Sequence, residues 1–221
     1  MKVIVAGSTG LVGSALVRQC IASDKVSHVF ALTRKPLPDA VAKNPKVSVV
    51  LHDDFSTYPP TLLAQLAGAE GAIGGRATQF PDVDTYRKVQ VDYTLAAATA
   101  FLEKLAPQLP EGKQFRFVFC SGKFAEWDQK KALHFMADTR HIKGQVEQGL
   151  CEIADSDTTK RFVVYCARPS GILPADAGLA VRLSGKLYGA IGVDHLAKGL
   201  IRILSEGYKD RIIENDQLWV L

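Results

Sequence analysis

No apolar run of about 18 residues occurs in this 221-residue chain, so it offers no candidate membrane-spanning helix. Blocks of roughly five or six like charges are missing too. The Lys and Arg residues are scattered and the formal net charge is only +4. Neither a basic stripe nor a nucleic-acid-binding motif is present, so no nucleic-acid partner is expected. Cysteine is scarce. Cys20, Cys120, Cys151 and Cys166 form no CxxC pair and no metal-ligand spacing, and no metal site is expected. Cys120 and Cys166 fall in apolar, strand-like runs; reduced core thiols suit a cytoplasmic setting. Met1-Lys2 runs directly into VIVAG, without a leader core and cleavage site, so secretion is not expected. No repeat or low-complexity linker divides the sequence. The expectation is one domain over 1–221, with 171–221 as a small variable C-terminal part.

What is present is alternation. Short apolar runs at 3–7 (VIVAG), 28–33 (HVFALT), 47–51 (VSVVL), 71–75 (GAIGG), 115–121 (FRFVFCS) and 161–169 (RFVVYCARP) read as strands. Between them lie helix-patterned segments at 11–22, 60–67, about 83–106 and 137–154. In the last, Ile142, Val146, Leu150 and Ile153 share one side. A helix is expected near 194–206, and the closing QLWVL reads as an edge strand. Repeated strand–helix units predict an α/β fold, a doubly wound parallel sheet with helices on both faces. Ligands of such sheets bind beyond the C-terminal strand ends, at the switch in strand order. That rule puts residues 7–13, 33–35, 52–55, 74–76, 121–124 and 169–173 on one rim.

The first rim segment is GSTGLVG, which follows a strand and opens a helix. Gly7 permits a tight turn, Gly10 lets a phosphate approach the backbone, and Gly13 lets the helix pack on the sheet. The free N–H groups of Gly7, Ser8, Thr9, Gly10, Leu11, Val12 and Gly13, with the positive helix end, suit a pyrophosphate. An NAD-binding fold usually carries a carboxylate at the end of its second strand. Here that strand ends ALTRKP. The guanidinium of Arg34, with Lys35 beside it, suits a 2′-phosphate and an adenine face. NADP is therefore favoured over NAD. Asp54, in LHDDF, is a candidate acceptor for the adenine amino group or simply the cap of a local turn. Gly74 closes the fourth strand on the same rim.

Together these motifs resemble the short-chain dehydrogenase/reductase superfamily, in its atypical, extended-like branch. The likeness covers about residues 1–175 and includes RKVQVDYTLAAATAF, FVFCSG, HIKGQVE and ARPSGIL. Gln90 stands where the family often has Asn or Asp. The resemblance implies that Ser121 meets the reacting carbonyl, Lys143 holds the nicotinamide ribose, and Pro169 ends the strand that meets the nicotinamide. In active members a Tyr lies four residues before that Lys and exchanges the proton. In this chain position 139 is Thr. An alkyl hydroxyl donates a hydrogen bond but is far too weak an acid to replace a phenol with a pKa near 10. His141, about 200° round the helix from Lys143, reads as a packing or surface residue. Lys123, Tyr165 and Tyr188 read as loop, core and tail residues.

Two functions follow. One is an NADP-dependent oxidoreductase acting on a small carbonyl, alcohol or enone, with Ser121, Thr139 and Lys143 as its polar groups. The other is a dinucleotide-binding protein without redox turnover, either a cofactor-sensing regulator or an isomerase or cyclase. The resemblance implies a cytoplasmic protein and leaves open association with mitochondria. It leaves both a homodimer and a monomer open.

Overall fold

The computed structural model describes residues 1–74, 82–178, 181, 185 and 188–221. The chain opens with β1 (Lys2–Ala6), α1 (Leu11–Ala22), β2 (His28–Thr33), a short α2 (Asp39–Ala42) and β3 (Val47–Leu51). It then runs through α3 (Pro60–Gln65), β4 (Gly71–Gly74), α4 (Val83–Arg87), a π-helical turn (Lys88–Asp92) and α5 (Tyr93–Lys104). β5 (Phe115–Cys120), α6 (Ala137–Ser156), β6 (Phe162–Arg168), β7 (Ile172–Leu173) and β8 (Ile191–Gly192) follow. The chain finishes with α7 (Val193–Glu206), β9 (Ile212–Glu214) and α8 (Asn215–Trp219).

Seven strands form one parallel sheet in the order β3-β2-β1-β4-β5-β6-β9, and β7 and β8 pair separately. The chain first moves outward from β1 through β2 to β3. It then returns to place β4 on the other side of β1. Strand order therefore reverses between β1 and β4, where such sheets open a crevice.

β1 shows why its run is continuously apolar. Side chains alternate across a strand, and both faces here are covered. Val3 and Val5 enter the core under α1 and α7, with Leu16, Leu200 and Ile203. Ile4 enters the opposite core with Phe30, Phe101, Phe117 and Leu150. The second core is aromatic: Phe115 stacks on Phe162 at 5.7 Å, and Phe101 meets Phe115 at the same separation. On α6, Ile142, Val146 and Leu150 are buried there, and Ile153 packs against them.

One expectation needs correction. QLWVL is not an edge strand. The edge strand is β9, just before it, and Glu214 with Gln217 then closes a capping box that starts α8. The long helix expected near 83–106 runs over Val83–Lys104, with a π turn at Lys88–Asp92 that carries Gln90 and Val91 inward. The two-stranded pairing of β7 with β8 was not foreseen; each strand has only two residues, too few to show a period. Gly75 and Arg76, expected on the rim, lie outside the described residues. Among those described, no helix is long and apolar enough to cross a membrane, and no group of His, Cys, Asp and Glu is arranged to hold a metal.

Candidate active site

The turn after β1 is set by two glycines. Gly7 has φ of 72°, a conformation that disfavours a Cβ. A Cβ on Gly13 would lie 2.0 Å from the Gly7 carbonyl oxygen and 2.5 Å from its carbon, so α1 rests directly on the turn. Gly10 N–H donates to that oxygen at 2.9 Å. Gly10 is also the N-cap of α1 and supplies no side-chain cap, which leaves N–H groups of the first turn for a ligand. Ser8 does not face the opening. Its buried hydroxyl donates to Val5 O at 2.9 Å and braces the turn from behind.

A cavity of about 610 Å³ extends from this turn across the strand ends. Gly7, Thr9, Gly10, Leu11, Val12 and Gly13 wall one end. Arg34 and Lys35 border its flank, both exposed. The Thr33 hydroxyl fixes their turn by accepting from Lys35 N at 3.2 Å and donating to Lys35 O at 3.0 Å. Ser121, Thr139 and Lys143 wall the far end, beside Cys120, Met136, Ser170 and Ile172.

At that far end the side chains come from separate elements. Ser121 follows β5, is 3% exposed, and its Oγ is buried without a hydrogen-bond partner. A buried hydroxyl in that state is costly unless something completes it. Lys143 comes from α6 and donates from Nζ to Ser121 O at 2.7 Å. Burial pushes its pKa down, while the nearby Cys120 and Glu147 oppose that shift. Burial pushes the Cys120 thiol up to about 11, against the pull of Lys143. Thr139 lies one turn earlier on α6, so it shares a face with Lys143.

Behind this end, α6 is held by a buried ionic cluster. Glu147 is fully buried; it accepts from Arg168 Nε at 2.9 Å and from Trp127 Nε1 at 2.7 Å. Arg168 also donates to Glu214 at 2.9 Å. A Cβ on Gly144 would come within 1.8 Å of Glu126 O, so the loop bearing Trp127 crosses α6 against bare backbone. α8 steadies the opposite edge. Asn215 accepts from Ser170 N at 2.8 Å and donates to Gly189 O at 3.0 Å.

A side chamber of about 140 Å³ adjoins the main cavity at Gly7, Arg34 and Phe55. Tyr58, Gly74, Tyr93 and Phe117 help to wall it. Gln90 lines it too, 2% exposed, with Oε1 buried and unpartnered. Gly74 thus faces the side chamber rather than the main cavity. Asp54 borders neither. It accepts from Ser56 N at 3.0 Å and also bonds the Ser56 and Thr57 hydroxyls, and these bonds hold its pKa below the usual carboxylate range. Pro169 borders neither as well; its carbonyl accepts from Lys123 N at 2.8 Å, and the adjacent Ser170 reaches the wall. Lys123 lies 5.1 Å from the centre of the Phe124 ring, Tyr165 is buried in β6 and Tyr188 is fully on the surface. Sequence reasoning missed Met136 as a neighbour of the site, because it carries no local motif, whereas Ile172 falls within the expected rim segment 169–173. Gln90 was visible as a departure from Asn or Asp, but its burial was not.

No family model matches the sequence. The leucinostatins biosynthesis cluster protein T of Purpureocillium lilacinum is 26% identical over 188 residues, 77% of this chain and 64% of that one. Protein FMP52, mitochondrial, of Eremothecium gossypii is 24% identical over 104 residues, 47% and 45% of the two chains. The chain thus spans less than two thirds of the length of either relative. Among solved structures, Gre2 of Candida albicans in complex with NADPH aligns with TM-score 0.73 and 18% identity, over 97% of this chain and 77% of that one. Vestitone reductase from alfalfa aligns at 0.70 and 16%, over 96% and 76%. A short-chain dehydrogenase from Burkholderia cenocepacia in complex with NADP aligns at 0.68 and 15%, over 96% and 86%. The chain shares the Rossmann-like α/β fold of these solved structures.

Proposed function

We propose that this chain, which carries the fold of the short-chain dehydrogenase/reductases, is an NADP-dependent oxidoreductase acting on a small carbonyl, alcohol or enone. The observation that carries the reading is the buried, unpartnered Ser121 Oγ in the same cavity as Thr139 and Lys143. A carbonyl oxygen of the substrate satisfies that hydroxyl and gains polarisation from it. The cavity fits a dinucleotide on three further counts: amides without a side-chain cap at the start of α1, cations at Arg34 and Lys35, and an unpartnered Gln90 Oε1 in the side chamber.

In this reading the amides of residues 7–13 hold the diphosphate. Arg34 pairs with the 2′-phosphate, with Lys35 adding charge. The base enters the side chamber, where Gln90 Oε1 accepts from its amino group in place of Asp54. Lys143 holds the nicotinamide ribose. The bound cofactor supplies or accepts a hydride. Ser121 and Thr139 orient the substrate oxygen, and Lys143, kept near Ser121 by its bond to the Ser121 carbonyl, adds positive charge beside it.

The structures of Gre2 with NADPH and of the Burkholderia enzyme with NADP support the choice of cofactor. The test is a titration of NADPH and NADH against the protein and Arg34→Ala. A lost charge-assisted hydrogen bond costs about 1.5–3 kcal/mol, so Arg34→Ala is expected to weaken NADPH by about 10- to 100-fold and NADH by much less. Equal weakening of both removes the NADP assignment. NADPH binding without oxidation by any carbonyl favours the second reading, a dinucleotide-binding protein, which Thr139 in place of a phenol motivates.

A further inference from the structure

Lys143 reaches Ser121 O because no side chain stands at position 122. A Cβ built on Gly122 would lie 2.6 Å from Lys143 Nζ, 3.3 Å from its Cδ and 3.5 Å from its Cε. These are the three nearest atoms, and all belong to one side chain. Other close glycines differ. At Gly13, Gly71 and Gly144 the nearest atom is backbone, so those glycines let two chain segments approach. At Gly122 it is an ammonium group. The ammonium fills the space where a side chain at 122 would begin, and from there it donates to Ser121 O at 2.7 Å.

The two partners are unequal in freedom. The backbone around Gly122 is fixed on both sides. Ser121 N donates to Ala167 O at 2.8 Å, Lys123 N to Pro169 O at 2.8 Å, and Ala125 N to Gly122 O at 3.1 Å. The same loop is tied to α6, where Arg140 Nε donates to Phe124 O and Glu126 N donates to Arg140 O, both at 2.9 Å. Lys143, by contrast, carries its charge on a flexible four-carbon stem. It also walls the cavity of about 610 Å³, so a displaced ammonium has room to move. Gly122 is not among the glycines with positive φ, and its own backbone does not call for glycine. What calls for it is the lysine.

We propose that Gly122 is the positioning residue for Lys143: the space beside its Cα seats the ammonium group next to Ser121 and sets where that group meets the ribose of a bound cofactor. The ribose contact rests on the NADP-binding reading; the seat belongs to the free protein. One methyl group at 122 is enough to fill it. To regain an ordinary contact distance the nitrogen must retreat by about 1 Å, and it gives up its place beside Ser121 O.

The test combines structure with coupling. Gly122→Ala is expected to fold as the unaltered protein does, with Tm within about 2 °C. Its cofactor-free crystal structure is expected to show the backbone at 121–123 in place and Lys143 Nζ beyond hydrogen-bonding distance of Ser121 O. A structure that keeps this bond and moves the backbone instead overturns the inference, as does a variant that no longer folds. NADPH affinity is expected to fall by about 10- to 100-fold, the scale of one lost charge-assisted hydrogen bond. In a Lys143→Ala background the added methyl meets none of the three atoms it would displace, so Gly122→Ala is expected to weaken NADPH no further there. A purely structural role for Gly122 would not show this dependence on Lys143. Equal weakening in both backgrounds, or none in the unaltered one, overturns the inference. Absence of NADPH binding by the unaltered protein removes the dinucleotide reading itself, and the crystal structures then decide the seat alone.

Discussion

Replacing Gly13 by alanine should separate the two tasks of the first turn. The added Cβ would lie 2.0 Å from Gly7 O and 3.0 Å from Ser8 N. Contacts under 3.0 Å are essentially never seen for a Cβ, so helix and turn must part by about 1 Å. Both partners are backbone, and no rotamer change relieves the overlap. Overpacking of this kind costs about 1–3 kcal/mol. For a chain of this size that is a fall in Tm of roughly 2–12 °C. The same displacement moves the amides away from a diphosphate, so NADPH affinity should fall by about tenfold or more. Gly10→Ala is the control. Its Cβ meets Gly7 O at 3.3 Å, and Gly10 has φ −85° and ψ 172°, which alanine tolerates. The fold should hold to within about 0.5 kcal/mol, while the methyl group obstructs the ligand. Thermal unfolding and fluorescence titration with NADPH measure both quantities. A Gly13→Ala protein with unchanged Tm and affinity refutes the reasoning, as does a Gly10→Ala protein equally destabilised.

Two further predictions concern stability. Glu147→Ala leaves Arg168 half-buried without its main partner and Trp127 Nε1 without an acceptor. Breaking a buried pair from one side costs about 3–5 kcal/mol, measured by urea unfolding; a loss under about 1 kcal/mol contradicts this. Asp157 accepts from Thr159, Arg161 and Phe162 N–H groups at 2.7–2.9 Å. Burial works to raise its pKa, but the Thr159 hydroxyl and these N–H groups outweigh it and hold the pKa below the ordinary value. A depressed carboxylate stabilises the fold above its unfolded pKa, about 3.9, and loses that contribution as pH falls through the folded value. The stability difference between the protein and Asp157→Asn should therefore be constant near neutrality and shrink below about pH 4. A difference that persists unchanged down to pH 2 contradicts it.

The fold was legible because its signals are local and repeated. α1 runs over Leu11–Ala22 and β2 over His28–Thr33, the expected residues in both cases. Their apolar runs are fixed by burial on two faces and do not depend on a particular partner. α8 was misread because QLWVL has strand-like composition, while its real determinant is a capping box between Glu214 and Gln217. The site was legible in proportion to how much of it is backbone. The turn over 7–13 announces itself through φ at Gly7 and the close approach at Gly13. Asp54 was ambiguous because a carboxylate after a strand serves its own turn as readily as a ligand, and here it serves Ser56 and Thr57.

The two ends of the cavity differ in what can change without loss. At the end of the cavity that we propose holds the diphosphate the donors are amides, and side chains at 9, 11 or 12 can vary while presenting the same N–H. The glycines are constrained by the 2.0 Å approach at Gly13 and the positive φ at Gly7, and Ser8 by its bond to Val5 O. At the other end the polar groups on the wall are side chains, Ser121 just after β5 and Thr139 and Lys143 on α6, and their direction depends on the elements behind them. Those elements are pinned by groups that touch no ligand: Glu147 between Arg168 and Trp127, and Gly144 beneath Glu126. With α6 so held, Thr139 and Lys143, one turn apart on one face of the helix, are both aimed into the cavity that they share with Ser121.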